Sequence, residues 1–189
     1  MKGDIIMIYF TSDLHFQHNK EFLYKSRGFN SINEHDQTII NNWNNIVNDN
    51  DDVYILGDLM LGNVEFAIKE LSQLKGKIHI IIGNHDTNNY INKYKLLLKN
   101  VVDINYVVIL KYNGFKFYLS HYPTITTTLI TCKDLLSQNL INLYGHTHQK
   151  NNFYKDNLFM YHVGLDSHDN KLISIDEIIK EIKMNFIKN

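Results

Sequence analysis

The chain has 189 residues, a formal net charge of −1, 44% hydrophobic residues and a single cysteine, Cys132. This length and composition predict one globular domain over residues 1–189, and they exclude a disordered chain and a disulfide scaffold. The near-zero charge argues against an extended nucleic-acid surface, and no apolar run reaches the roughly 20 residues that cross a bilayer. We therefore expect a cytoplasmic protein without a membrane partner.

The first half of the chain alternates predicted strands with predicted helices. Residues 5–10, 53–56 and 78–82 are short, β-branched apolar runs, typical of strands that are buried on both faces. Residues 33–47 and 64–74 carry apolar side chains at helical spacing. The alternation of strand and helix predicts a parallel sheet with crossover helices.

The second half of the chain predicts antiparallel pairing. Extended runs over 101–112 and 115–119 flank Asn113-Gly114, a dipeptide that favours a hairpin turn. The remaining predicted elements are a short helix over 131–138, strands over 141–144 and 158–163, and an amphipathic helix over 175–187. Together the elements predict an α/β sandwich of two sheets with outer helices.

Polar side chains that can bind metals follow five of the predicted strands. They are Asp13 and His15, Asp58, Asn84, His121, and His146 with His148. Because the carboxyl ends of parallel strands face a common crevice, we expect these side chains to converge. Mixed oxygen and nitrogen donors suit Mn, Fe, Zn, Co or Ni rather than an all-oxygen Ca or Mg site.

The number of donors indicates two metal ions rather than one. Seven ligands exceed the needs of one tetrahedral ion and suit two ions about 3.5–4 Å apart that share a carboxylate and a water. Two divalent cations and two aspartates leave a positive balance, which attracts a phosphate and a bridging hydroxide.

Taken in this order, the motifs resemble those of the calcineurin-like metallophosphoesterase superfamily, and in particular a small branch of compact bacterial and phage phosphoesterases. The matching segments are Asp13-x-His15, Gly57-Asp58, Gly83-Asn84-His85-Asp86, His121 and Gly145-His146-x-His148. The resemblance implies two mixed β-sheets that are packed face to face and flanked by helices.

The resemblance also implies a ligand set. One metal would be held by Asp13, His15 and His148, the other by Asn84, His121 and His146, with Asp58 as the bridge between them. The implied cofactors are two divalent metal ions, Mn²⁺, Fe or Zn²⁺, with Ni²⁺ or Co²⁺ as substitutes in vitro.

A hydrolytic mechanism follows as a hypothesis. Hydroxide that bridges the two ions would attack phosphorus in line with the leaving alkoxide. His85 would protonate the leaving oxygen or stabilise the transition state, and Asp86 would orient the His85 ring. Asn84 is expected to face the substrate as well as the metal.

Two further residues are candidates for phosphate binding. Arg27 is the only arginine of the chain, and a guanidinium binds phosphate in a bidentate way that lysine does not. His18 follows the first metal motif in the same loop, where a solvated loop histidine is the alternative. Among the other histidines, we expect His79 to be a core residue and His162 to have a supporting role behind the ligands.

Three functions remain open at this point. The first is a phosphoesterase that cleaves monoester or diester bonds of a small, nucleotide-like substrate. The second is a nuclease for single-stranded or terminal nucleic acid, with phosphate contacts from Lys93, Lys95 and Lys99. The third is a non-catalytic binding scaffold, which the complete set of ligands and His85 disfavours.

Overall fold

The structure is a computed structural model that describes residues 6–124, 140–155 and 157–188. The predicted helix over 131–138 lies outside the described residues. The described residues form five α-helices, one short 3₁₀ helix (Leu165–Ser167) and ten strands in two five-stranded sheets. None of those helices combines the length and the apolar character that a bilayer-spanning segment requires.

The first sheet contains the parallel strands that the first half of the chain predicts. Its order is β10-β1-β2-β3-β4, and the four strands β1 to β4 are parallel, with β10 antiparallel at one edge. The strands are β1 (Ile8–Thr11), β2 (Asp52–Leu56), β3 (Lys77–Ile81), β4 (Val101–Asn105) and β10 (Ile173–Ser174).

The second sheet is mixed, and here the prediction of antiparallel pairing is only partly correct. Its order is β5-β6-β7-β9-β8. The outer pairs β5–β6 and β8–β9 are antiparallel. The strands β6, β7 and β9 are parallel to one another, so the chain returns to the same end of the sheet before each of them begins. The strands are β5 (Val108–Tyr112), β6 (Phe115–Leu119), β7 (Leu140–Tyr144), β8 (Phe153–Tyr154) and β9 (Asn157–His162).

The predicted extended run over 101–112 is two strands in two different sheets. β4 ends at Asn105 in the first sheet and β5 begins at Val108 in the second. The chain crosses between the sheets at Tyr106 and Val107. Because both side chains are largely apolar, the sequence does not indicate that one strand ends and another begins here. The Asn113-Gly114 turn is confirmed, with φ values of 46° and 82°, as a two-residue hairpin of this type requires.

Helices pack on the sheets and close the domain. Three of them correspond to predicted helices, whereas α1 and α4 were not predicted. The helices are α1 (Glu21–Ser26), α2 (Ile32–Ile46), α3 (Val64–Leu71), α4 (Asn88–Leu97) and α5 (Ile175–Lys188).

Two apolar cores explain why β2 is apolar on both faces. Val53 and Ile55 pack in a core with side chains of α2, α3 and α4, including the fully buried Trp43. Leu56 points to the other face, where the first sheet, the second sheet and α5 share a core. This two-sided burial fixes the register of β2, and with it the position of Asp58 just beyond its end.

Candidate metal centre

The predicted metal ligands lie directly after the carboxyl ends of five strands. Asp13 and His15 follow β1, Asp58 follows β2, and Asn84 follows β3. In the second sheet, ligands follow β6 and β7. The structure brings these ends together at one edge of the sandwich, as the expected parallel topology requires.

One group of donors consists of Asp13, His15 and His148. The Nε2 atoms of the two histidines lie 3.3 Å apart. The Oδ1 atom of Asp13 lies 3.8 Å from Nε2 of His15 and 3.9 Å from Nε2 of His148. Donor atoms of these three side chains lie within 4.8 Å of one another, which suits ligation of a single cation.

The second group consists of Asn84, His121 and His146. The Oδ1 atom of Asn84 lies 2.8 Å from Nε2 of His121 and 2.9 Å from Nδ1 of His146. The same two ring nitrogens are 3.2 Å apart. Three donor atoms therefore converge on one point, which matches the second ligand set that the family resemblance implies.

Asp58 lies between the two groups. Its Oδ2 atom is 3.9 Å from Nε2 of His15 on one side and 3.5 Å from Nε2 of His121 on the other. Its Oδ1 atom accepts a hydrogen bond from the backbone N–H of His85 at 2.9 Å. The backbone contact holds the carboxylate so that Oδ2 faces both groups.

An unpaired buried oxygen supports a cation at this place. Oδ2 of Asp13 accepts hydrogen bonds from the hydroxyl of Ser12 at 2.6 Å and from the backbone N–H of His146 at 2.8 Å. Oδ1 of the same carboxylate is buried without a hydrogen-bond donor. A buried carboxylate oxygen without a donor is costly unless a cation neutralises it, so the donor set fits divalent metal ions.

The protonation states also suit metal binding. Burial lowers the pKa of His15 to about 3, so that its ring is neutral and offers a lone pair. Burial favours the protonated form of Asp13, but the surrounding imidazoles, His121 first, hold the pKa of this carboxyl below its ordinary value. Burial raises the pKa of Asp58 to about 6, a shift that a bound cation would oppose.

The backbone at the ligands is held in the left-handed region. The φ angles are 57° at Asp13, 50° at His15, 58° at Asp58, 66° at His146 and 48° at His148. Non-glycine residues rarely adopt such angles, and they gather where the surrounding structure forces a side chain into a functional position. The sequence pattern contains no signal for this conformation.

Two glycines of the motifs make room for the ligands. Gly57 has a φ of 92°, and a Cβ atom there would collide with the ring of His121. A Cβ atom on Gly83 would collide with the carboxylate of Asp58. Glycine is needed at both positions because the backbone passes directly against a ligand.

His85 lies beside the donors without belonging to either group. Its Nε2 atom is 3.9 Å from Oδ2 of Asp58, and its ring lies edge-on to His15 at 5.6 Å between centroids. The side chain of His85 is 42% exposed, so it faces the space that a substrate would enter. The ring of His18 also lies edge-on to His15, at 5.6 Å between centroids.

The expected contact between Asp86 and the His85 ring is not what the structure contains. One oxygen of Asp86 accepts hydrogen bonds from the backbone N–H groups of Asp58 at 2.8 Å and Gly83 at 2.9 Å. The other accepts a bond from the Tyr94 hydroxyl at 3.0 Å. Asp86 therefore fixes the two loops that carry the ligands, because buried N–H groups there need an acceptor.

The expectation that Arg27 binds substrate is wrong. Its side chain is fully buried, and two of its nitrogens donate to the two carboxylate oxygens of Asp166, at 3.2 and 2.8 Å. Asp166 in turn bonds Nδ1 of His148 at 2.8 Å. Asp166 is not among the predicted site residues, although a carboxylate soon after a strand, here β9, is the same signal that marks the other donors.

The remaining histidines and lysines lie outside the ligand groups. His79 is half-buried between Asp52 and Asp103, with ring nitrogens 3.1 and 2.8 Å from their carboxylates. His162 is buried and bonds the hydroxyl of Ser167 at 2.8 Å. Lys99, one of three lysines considered for nucleic acid, lines a cavity beside Lys75 and Gly76, next to the start of β3. That is the opposite end of the strands from the metal ligands.

Comparisons with known proteins identify the family of the chain. The model of the calcineurin-like phosphoesterase superfamily domain matches residues 6–171. Over 124 residues the chain is 39% identical to MJ1445, an uncharacterized protein of Methanocaldococcus jannaschii. That match covers 65% of this chain and 62% of the relative, so the chain spans less than two thirds of that protein.

Two solved structures share the fold. The protein of unknown function AQ665 from Aquifex aeolicus superposes with a TM-score of 0.69 at 22% identity, covering 94% of this chain and all of that one. An archaeal phosphodiesterase superposes with a TM-score of 0.50 at 20% identity, covering 90% of this chain and 99% of that one. The family match over most of the chain identifies it: the protein belongs to the calcineurin-like phosphoesterase superfamily.

Proposed function

We propose that the chain hydrolyses phosphoester bonds of a small, nucleotide-like substrate with the help of two divalent cations. The observation that carries this proposal is the arrangement of seven donors in two groups, with Asp58 between them. Asp13, His15 and His148 would hold one ion, and Asn84, His121 and His146 the other.

The cations and the side chains would have separate tasks. Two divalent ions would lower the pKa of a water molecule and neutralise charge on the phosphoryl oxygens. The half-exposed ring of His85 belongs to neither group of metal ligands and would give a proton to the leaving oxygen. Asp58 and Asp13 would hold the two cations in position through their buried carboxylates.

Two exposed aromatic rings favour a substrate with a base or another flat group. Tyr122 is 44% exposed and lies against His146 at 4.6 Å and His121 at 5.0 Å between ring centroids. Phe22 is 71% exposed and lies against His18 at 5.7 Å. Stacking of a nucleobase on an exposed ring contributes about 1–3 kcal/mol per base.

A metal-dependence assay tests the proposal. We expect the chelated chain to hydrolyse nitrophenyl phosphate diester or monoester only after Mn²⁺ is added. Asp58→Asn should lose this activity, whereas Asp52→Asn, which changes the aspartate at the start of β2 and away from the site, should keep it. Lack of hydrolysis with every candidate metal, or full activity in Asp58→Asn, would contradict the proposal.

A further inference from the structure

Behind the metal ligands, a buried arginine makes several charge-assisted contacts. Nε and one terminal nitrogen of Arg27 donate to the two oxygens of Asp166. The same terminal nitrogen donates to the backbone carbonyl of Asp13 at 2.8 Å. The other terminal nitrogen lies 2.9 Å from Nε2 of His35. Arg27 and Asp166 are 139 residues apart in the sequence. Their ion pair therefore joins the segment after α1 to the segment after β9.

The contacts of Arg27 and Asp166 reach one group of metal ligands. Asp166 bonds Nδ1 of His148, which leaves Nε2 of that ring to face His15 and Asp13. Arg27 holds the backbone of Asp13 itself. Two of the three donors in the Asp13, His15 and His148 group are therefore fixed by this pair.

The other group of ligands has a different support. Nδ1 of His121 lies 2.8 Å from the backbone carbonyl of Leu56, to which it donates. Among the contacts of the described residues, neither His121 nor Asn84 bonds Arg27 or Asp166. The two groups thus have different supports behind them, an ion pair for one and the backbone at the end of β2 for the other, and they meet where Oδ2 of Asp13 accepts the backbone N–H of His146.

A second buried pair holds the arginine in place. His35 is fully buried, and its Nδ1 atom lies 2.6 Å from Oδ1 of Asp36. Burial and the nearby Arg27 lower the pKa of His35 to about 3, so that the ring is neutral, donates from Nδ1 and accepts from Arg27 at Nε2. The position of the guanidinium is therefore determined on three sides.

We propose that Arg27 and Asp166 are positioning residues for one of the two cations, the ion held by Asp13, His15 and His148. This inference rests on the proposed two-ion function and extends it, because it makes the two positions unequal. A carboxylate behind a ligating histidine fixes the ring and raises its basicity, and loss of such a partner lowers metal affinity about 10- to 100-fold.

Titration of the chelated full chain with Mn²⁺ by calorimetry tests the inference. We expect two binding events in the unaltered protein. In Asp166→Asn and Arg27→Lys, one event should keep its affinity, while the other weakens about 10- to 100-fold. His148→Ala should weaken the same event, and His146→Ala the opposite one. His79→Gln, which removes a histidine held by two carboxylates elsewhere, is the matched control and should change neither event.

The outcomes separate the inference from the function on which it rests. Absence of Mn²⁺ binding in the unaltered protein contradicts the proposed function. Two ions in the unaltered protein, with both constants unchanged or equally weakened in Asp166→Asn, overturn only the inference. Removal of one partner from a buried ion pair can prevent folding, so a double variant, Arg27→Met with Asp166→Leu, removes both charges together. It should show the same selective loss, and retention of both binding events in that folded variant also overturns the inference.

Discussion

The carboxylate of Asp86 accepts a hydrogen bond from the backbone N–H of Asp58 across 2.8 Å. Through this contact, Asp86, which belongs to neither group of candidate ligands, sets the position of the aspartate that lies between both groups. The same oxygen also accepts the N–H of Gly83, at the end of the neighbouring strand. Asp86 thus joins the loop after β2 to the loop after β3 through hydrogen bonds.

Substitution of Asp86 should therefore impair metal binding and stability together. Asp86→Ala leaves buried N–H groups at Asp58 and Gly83 without an acceptor, which costs about 1–3 kcal/mol for each group. We expect a lower denaturation midpoint and weaker Mn²⁺ binding in calorimetry. Tyr94→Phe is the control, because it removes one hydrogen bond to Asp86 and should cost only about 1 kcal/mol with metal binding intact. Normal Mn²⁺ affinity in Asp86→Ala would contradict the role of Asp86 in positioning the metal site.

Substitution of His85 should have the opposite signature. The ring belongs to neither ligand group and is 42% exposed, so His85→Asn should keep its metal content and its melting temperature. Loss of a general acid should lower kcat by about 10²- to 10⁴-fold. Metal analysis together with steady-state kinetics measures both effects, with His79→Asn as a histidine control. An unaltered kcat removes His85 from the mechanism, and loss of a metal ion would make it a ligand.

Substitution of Tyr122 should separate substrate binding from chemistry. The exposed ring packs on His121 and His146 and belongs to neither group of candidate ligands. We expect Tyr122→Ala to raise KM for a nucleotide substrate about 5- to 100-fold, which corresponds to the 1–3 kcal/mol of a stacked base. KM for a small alkyl phosphoester should stay the same. Tyr122→Phe keeps the ring and should behave like the unaltered enzyme. Equal effects on nucleotide and alkyl substrates would argue against stacking.

A pair of carboxylates predicts how stability depends on pH. The amide of Gln17 lies between Glu70, at 3.0 Å, and Asp36, at 3.1 Å. Burial and the neighbouring Asp36 raise the pKa of Glu70 from its ordinary 4.5 to about 7. Because this pKa is higher in the folded than in the unfolded chain, protonation of Glu70 favours folding below pH 4.5. That contribution is lost as the pH rises through about 7.

Glu70→Gln should consequently stabilise the protein at pH 8 and change little at pH 5. The expected gain at pH 8 is roughly 1 kcal/mol, after allowance for solvent screening of a half-exposed group. Urea denaturation at both pH values measures it. Glu65→Gln, which changes an exposed glutamate of the same helix, should shift stability equally at both. If Glu70→Gln changes the free energy of unfolding by the same amount at pH 5 and at pH 8, the raised pKa of Glu70 is refuted.

The convergence of the candidate metal ligands could be predicted from the sequence because the topology of the sheets alone brings these residues together. A donor that follows a parallel strand must lie near donors that follow its neighbours, whatever the details of packing. The pairing of Arg27 with Asp166 could not be predicted in this way, because it depends on which buried anion the guanidinium meets. The chemistry inferred for Arg27, bidentate binding of an anion, is correct, but the anion is an internal carboxylate.

Two features of the fold were hidden for related reasons. The apolar residues Ile91, Tyr94 and Leu98 have helical spacing and are buried, but asparagine and lysine residues and the exposed Leu96 obscure the pattern of α4. The crossing from β4 to β5 occurs within a continuous apolar run, so only the pairing of the two strands with different sheets reveals it. In both cases contacts between residues that are distant in the sequence determine the structure, and the local spacing of apolar residues does not predict such contacts.

Anomalous diffraction from crystals of the full chain soaked in Mn²⁺ is the most direct test of the central claim. The account predicts two peaks about 3.5–4 Å apart. One should lie among Asp13, His15 and His148, the other among Asn84, His121 and His146, with Asp58 in contact with both. A site without peaks, or a single peak that leaves Asn84 and His146 without an ion, would contradict the two-cation account.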